Sequence, residues 1–139
     1  MDCSFKGRKY HRINMKEWTK AWTESKKPAK QRKYVYQAPL HIRTSFMGSH
    51  LSKELQKKYG TRTLTVRKGD KVKIERGDYK GITGKINRVD RKNIRIYVDG
   101  AQRTKSDGSK SFYALHPSNV LIIDLHTDDK RRMKRGKQK

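Results

Sequence analysis

The chain has 139 residues, 32% of them hydrophobic, which suffices for one domain with a small core and appendages. Its 37 Lys and Arg against 13 Asp and Glu leave a formal charge of +24, a self-repulsion that a polyanion such as nucleic acid relieves. The lone Cys3 excludes an intrachain disulfide or a cysteine zinc site, no run approaches the ~20 apolar residues of a membrane span, and nothing resembles a signal peptide, so the chain reads as intracellular.

Charge divides the chain into three parts. Residues 1–65 hold 16 basic and 4 acidic side chains, residues 66–125 hold 14 and 7, and residues 126–139 hold 7 and 2. The middle is the best balanced and carries the period-two apolar pattern. This predicts a basic N-terminal extension with short helices (1–65), a small β domain (66–125) and a basic C-terminal tail (126–139).

In chain order, Asn14 with Glu17 forms a capping pair, and Met15, Trp18 and Trp22 line one helical face until Pro28 stops it. A second helix starts near Pro39 and stops at Gly48; a third runs from Ser52 to Tyr59 and ends at Gly60. Val72 and Ile74, then Ile82, Gly84 and Ile86, then Ile94, Ile96 and Val98, alternate with polar residues as half-buried strands. Asp90 to Asn93 is a turn. Asp107-Gly108 signals a hairpin between a polar strand at 102–105 and one at 111–115. After His116-Pro117-Ser118-Asn119, the apolar run from Val120 to Leu125 suggests burial on both faces. Five or six short antiparallel strands in about 60 residues favour a small, highly curved barrel over a sandwich. The tail from Asp128 has no apolar period and is expected to order only on a partner.

Gly77, Gly81 and Gly84 are the centre of the chemistry, because so bare a loop can turn sharply and admit a phosphate to its N–H groups. Arg76, Tyr79, Lys80 and Lys85 surround them. The competing explanation is turn geometry and barrel curvature alone, which is stronger for Gly84, inside a strand. A nucleotide-binding P-loop is excluded, since Tyr79 stands where glycine is needed and Ile86 where Ser or Thr is needed. Trp18 and Trp22 either stack on bases or bury against protein, and Tyr34, Tyr36 and Tyr97 are either stackers or barrel wall. The five histidines show no metal spacing, and His41 and His116 suit hydrogen bonds to phosphate or backbone. Asp90 and Asp99 are better explained as turn formers than as a catalytic pair. The absence of a nucleophile with a partnered base argues against an enzyme.

Lys68-Gly69-Asp70-Lys71-Val72, followed by Arg76-Gly77-x-x-Lys80-Gly81-x-x-Gly84-x-Ile86, resembles the KOW motif, which implies an SH3-like barrel and often RNA binding. Three further segments, QRKYVYQAPLHIR at 31–43, HLSKELQKKYGTR at 50–62 and FYALHPSNV at 112–120, narrow the resemblance. Together they resemble the large-subunit ribosomal protein family numbered twenty-four in the universal series and twenty-six in the eukaryotic one, in its archaeal form, from about Met15 to Leu125. Residues 1–14 depart from the usual archaeal start, and Met15 is a candidate initiator.

That resemblance implies a cytoplasmic, non-enzymatic protein that binds the 5′ domain of large-subunit ribosomal RNA early in assembly, near the nascent-chain tunnel exit. Its partners would be that RNA and neighbouring ribosomal proteins, with no cofactor, metal, membrane span or small-molecule substrate. The residues expected to meet RNA are Lys30, Arg32, Lys33, Tyr34, His41, Arg43 and Lys53 in the extension, and Arg67, Lys68, Arg76, Tyr79, Lys80, Gly81, Lys85, Arg88, Arg91, Lys92 and Arg103 in the barrel. His116, Ser118 and Asn119, at the turn before the last strand, complete the set. A transcription elongation module would share the barrel, but it would bring an α/β partner domain. An SH3-like protein adaptor would need an aromatic groove and far less charge.

Overall fold

The computed structural model describes residues 18–128 and Arg132. These fall into two compact units that divide between Ala38 and Pro39.

In the first unit, residues 18–27 form turns and irregular backbone, and α1 spans Pro28–Gln37. The helix expected to end at Pro28 is thus replaced by one that begins there. At the first helical position the missing N–H of proline has no intrahelical partner to lose, and its fixed φ suits the helix. The Asn14 cap and Met15 lie outside the described residues. None of α1 is fully buried, and ten residues are too few to hold a helix by hydrogen bonding alone. Aromatic contacts supply the missing support. Trp18 stacks on Tyr34 with centroids 4.9 Å apart, Trp22 stacks on the same ring at 5.2 Å, and the Trp18 indole N–H donates to the Tyr34 carbonyl at 3.0 Å.

The second unit is mainly β. Its elements are α2 (Leu40–Phe46), β1 (Gly48–Leu51), α3 (Lys53–Tyr59), β2 (Thr63–Thr65), β3 (Lys71–Ile74), β4 (Thr83–Asp90), β5 (Arg95–Thr104), β6 (Lys110–Leu115), a 3-10 turn (Pro117–Asn119) and β7 (Val120–Asp124). Helix α2 starts after Pro39, and α3 is capped by the Ser52 hydroxyl and closed by Gly60 in the left-handed region, as the sequence predicts. The strands form one curled sheet in the order β2-β1-β7-β3-β4-β5-β6, a half-barrel of SH3-like character. Every pair is antiparallel except β1 with β7. Register breaks in β3/β7 and β4/β5, each one residue, and a longer one in β5/β6 between Tyr97 and Gln102 are where the sheet bends. Strands β1 and β2 come from upstream of residue 66, and at three or four residues each they are too short to show a period.

Val72 and Ile74 of β3, Ile86 of β4, Ile96 and Val98 of β5, Leu115 of β6 and Val120 and Ile122 of β7 fill the core with Met47, Leu51 and Val66. Two expectations need correcting. The apolar run of β7 is not buried on both faces, since Ile123 remains 37% exposed although strands flank β7 on either side. Ile94 does not belong to the third strand. It lies in the preceding turn with φ of 54°, and its side chain still reaches the core. Gly84 is where two backbones meet: a Cβ there would lie 2.1 Å from the Asp99 carbonyl oxygen.

Candidate nucleic-acid interface

The loop between β3 and β4 carries the glycine motif. Gly77 and Gly81 have φ of 97° and 91°, which other residues adopt only with strain. The Lys80 amide donates to the Gly77 carbonyl at 3.1 Å, the Gly81 amide to Ile74 at 2.8 Å and the Ile82 amide to Tyr79 at 3.3 Å. Those amides are therefore committed to the turn. The surface of Gly81 is open, since a Cβ there would have no neighbour within 4 Å, but its N–H is taken up by the Ile74 carbonyl. Tyr79 acts as a buttress, its hydroxyl donating to the Gln102 carbonyl at 2.9 Å and its ring packing 4.9 Å from that of Tyr113. Arg76 and Lys80 stay exposed beside Lys73 on a shallow cleft of about 430 Å³. Lys71 and Lys85 sit opposite one another across β3 and β4, both exposed.

A larger groove, about 1130 Å³, opens between β2 and β4. Arg67, Lys68, Arg88 and Arg91 line it, four of the residues expected to meet RNA. The turn that carries Arg67 and Lys68 is held by Asp70, whose carboxylate accepts from the Arg67 amide at 2.8 Å. Asp90 holds the turn after β4 in the same way. Its Oδ1 accepts from the amides of Lys92 and Asn93 at 3.0 and 3.2 Å, and the Asn93 side chain donates to Oδ2 at 2.8 Å. The Asn93 side-chain bond is the main reason its carboxyl lies below the usual 3.8. The Arg43 guanidinium donates to the Lys92 carbonyl and so braces that turn. Arg88 lies 5.7 Å from the Tyr97 ring, within cation–π range. Asp99 accepts from the Asn87 side chain at 3.5 Å, so neither aspartate is arranged for catalysis.

Behind this groove stands a buried ion pair that sequence reasoning missed. Asp70 is fully buried, and Arg132 of the C-terminal segment forks onto it with Nη1–Oδ1 and Nη2–Oδ2 distances of 2.7 and 2.6 Å. The same guanidinium donates to the His126 carbonyl at 3.1 Å and the Thr65 carbonyl at 3.0 Å, while the His126 amide donates to Asp70 at 3.0 Å. One tail residue expected to be free is therefore built into the fold. The available signal was an acid in phase with the apolar Val72 and Ile74 at a strand start, at Asp70, with an arginine-rich segment downstream to answer it.

The family model for ribosomal proteins L26 of eukaryotes and L24 of archaea matches residues 25–139. The chain belongs to this family. It is also 52% identical over 113 residues to the large ribosomal subunit protein uL24 of Pyrobaculum islandicum, covering 81% of this chain and 92% of that protein. As a member of the L26/L24 family it is a structural, non-enzymatic constituent of the large ribosomal subunit in the cytoplasmic ribosome. The family match runs to Lys139, beyond the Leu125 at which the motif resemblance stops, and so takes in Arg132.

The other expected residues of this ribosomal protein are carried by other elements. Lys30, Arg32 and Lys33 are exposed on α1, whereas Tyr34 is half-buried under the two tryptophans, which settles Trp18 and Trp22 as packed on protein. His41 is exposed on α2, Lys53 starts α3, and Arg103 lies on β5. His116 organises its turn: Nδ1 accepts from the Ser118 amide at 3.3 Å and sits 2.8 Å from the Ser118 hydroxyl. Partial burial, aided by the Arg95 charge, lowers its imidazole below 6.5 and favours the neutral ring that this acceptor role requires. The Asn119 carbonyl accepts from the Glu75 amide at 2.8 Å, and the buried Ser49 hydroxyl donates to the Pro117 carbonyl at 2.6 Å. Ser118 and Asn119 are thus tied to the fold as well as facing outward.

Proposed function

We propose that the chain anchors large-subunit ribosomal RNA, binding its 5′ domain early in assembly near the nascent-chain tunnel exit and adjoining other large-subunit proteins there. The observation that carries this reading is the placement of charge. Among the described residues the fold buries one cation, Arg132, and leaves every other lysine and arginine at least partly exposed. A chain of +24 that keeps its cations outside gains most from a partner that replaces condensed counterions, which a phosphate backbone does. The address within the subunit is what the family resemblance implies; the surface charge supports only a polyanionic partner. The test is to tag the chain, wash large subunits in high salt and fractionate assembly precursors. Retention on washed subunits and presence in the earliest RNA-containing precursors are expected; release by the wash would reduce the chain to a basic hanger-on, and appearance only in mature subunits would exclude an early role.

A further inference from the structure

The groove between β2 and β4 differs in character from the aromatic surfaces of the chain. Among its described lining residues it sets guanidinium and ammonium groups, Thr44 and Asn87 beside the apolar Met47, Leu64, Val66 and Val89, and its only aromatic ring is the imidazole of His126. Unpaired RNA is held largely by stacking bases on aromatic platforms, whereas a base-paired segment presents phosphates and ribose hydroxyls to cations and polar donors. The chemistry here is of the second kind.

The charge balance points the same way. Asp70 is taken up by Arg132, and Asp128, 81% exposed and 3.3 Å from His126, offsets part of the positive charge, which leaves Arg67, Lys68, Arg88 and Arg91 in excess along the groove.

We propose that this groove seats the sugar–phosphate backbone of a base-paired RNA segment, with Arg88 and Arg91 meeting phosphates from one wall and Lys68 from the other. It rests on the RNA-anchoring function above and adds the form of RNA and the place where it lies. Because the β4 turn is braced by Asp90 and Arg43, its arginines are presented by a set backbone.

The experiment measures binding of the full chain to an in vitro transcript of large-subunit ribosomal RNA over a range of KCl, with random-sequence RNA duplex or poly(U) as competitor. The double variant Arg88→Gln/Arg91→Gln should keep its melting temperature, lose at least ~10-fold in affinity and show a log–log salt slope shallower by about one to two. Lys105→Gln/Lys110→Gln, which removes the same charge at the β5–β6 hairpin, should cost less than ~3-fold, and duplex should compete better than poly(U). Equal losses from the two double variants, or stronger competition by poly(U), would overturn the groove. Failure of the unaltered chain to prefer the transcript over bulk transfer RNA would instead overturn the RNA-anchoring function itself.

Discussion

Gly81 and Gly84 belong to one motif yet are glycine for different reasons. At Gly81 the need is conformational, with φ of 91° and open space around it, so Gly81→Ala should cost about 1–2 kcal/mol of backbone strain. At Gly84 the need is steric. A methyl group would press on the Asp99 carbonyl at 2.1 Å, so the β4–β5 pair must part, and Gly84→Ala should cost about 3 kcal/mol. Urea unfolding of the two variants checks this order, and a Gly81 variant the less stable of the two would contradict it. His116 supplies a pH signature at the same scale. Its folded pKa is depressed, so the unfolded chain binds the proton more readily. The stability it contributes is full above 6.5 and is lost as pH falls through the lowered folded value. Comparing melting temperatures of the chain and His116→Asn between pH 8 and about 5 should show a smaller acid loss in the variant.

Among the elements, the C-terminal arm departs furthest from expectation. A segment without apolar period reads as solvated, and nothing local marks Arg132 among the arginines and lysines of the tail. What selects it is Asp70, far away in sequence, whose buried carboxylate needs a cation with a two-pronged donor. Removing one partner leaves the other charged and buried. Asp70→Asn should therefore destabilise the second unit by about 3–5 kcal/mol, and Asp70→Asn/Arg132→Met by less than the sum of the single variants. Additive losses in a double-mutant cycle by urea denaturation would show that the two do not act as a pair. The first helix makes a similar point. Pro28 was legible as a helix boundary, but whether it opened or closed a helix was decided by Trp18 and Trp22 packing on Tyr34, a contact between segments that periodicity does not register.

For the whole molecule the governing quantity is charge. Because every described lysine and arginine but Arg132 is at least partly exposed, affinity for ribosomal RNA should fall steeply with salt, and a slope steeper than about −4 is expected if five or more phosphates are met. Filter binding across a KCl series reads it directly; a nearly flat plot would exclude phosphate-dominated attachment. The same surface argues against a protein adaptor, whose interface core would be apolar and poor in lysine.

Strands β3, β4 and β6, the turns at Asp90 and Asp107 and the two short helices after Pro39 were legible because each is specified locally, by alternation, capping or turn residues, whereas the separate strands expected at 94–98 and 102–105 are one strand, β5, joined through Asp99 and Gly100. The family was legible from four linked motifs. Three-dimensional packing decided the rest. It recruited β1 and β2 to the sheet, tied the Tyr79 hydroxyl to the Gln102 carbonyl, engaged the Lys80 to Ile82 amides in the loop itself and gathered Arg67, Lys68, Arg88 and Arg91 around one groove. The physical reason is common to all of these: a sequence pattern records which face of an element is apolar, whereas which distant polar groups satisfy one another depends on where the folded backbone brings them.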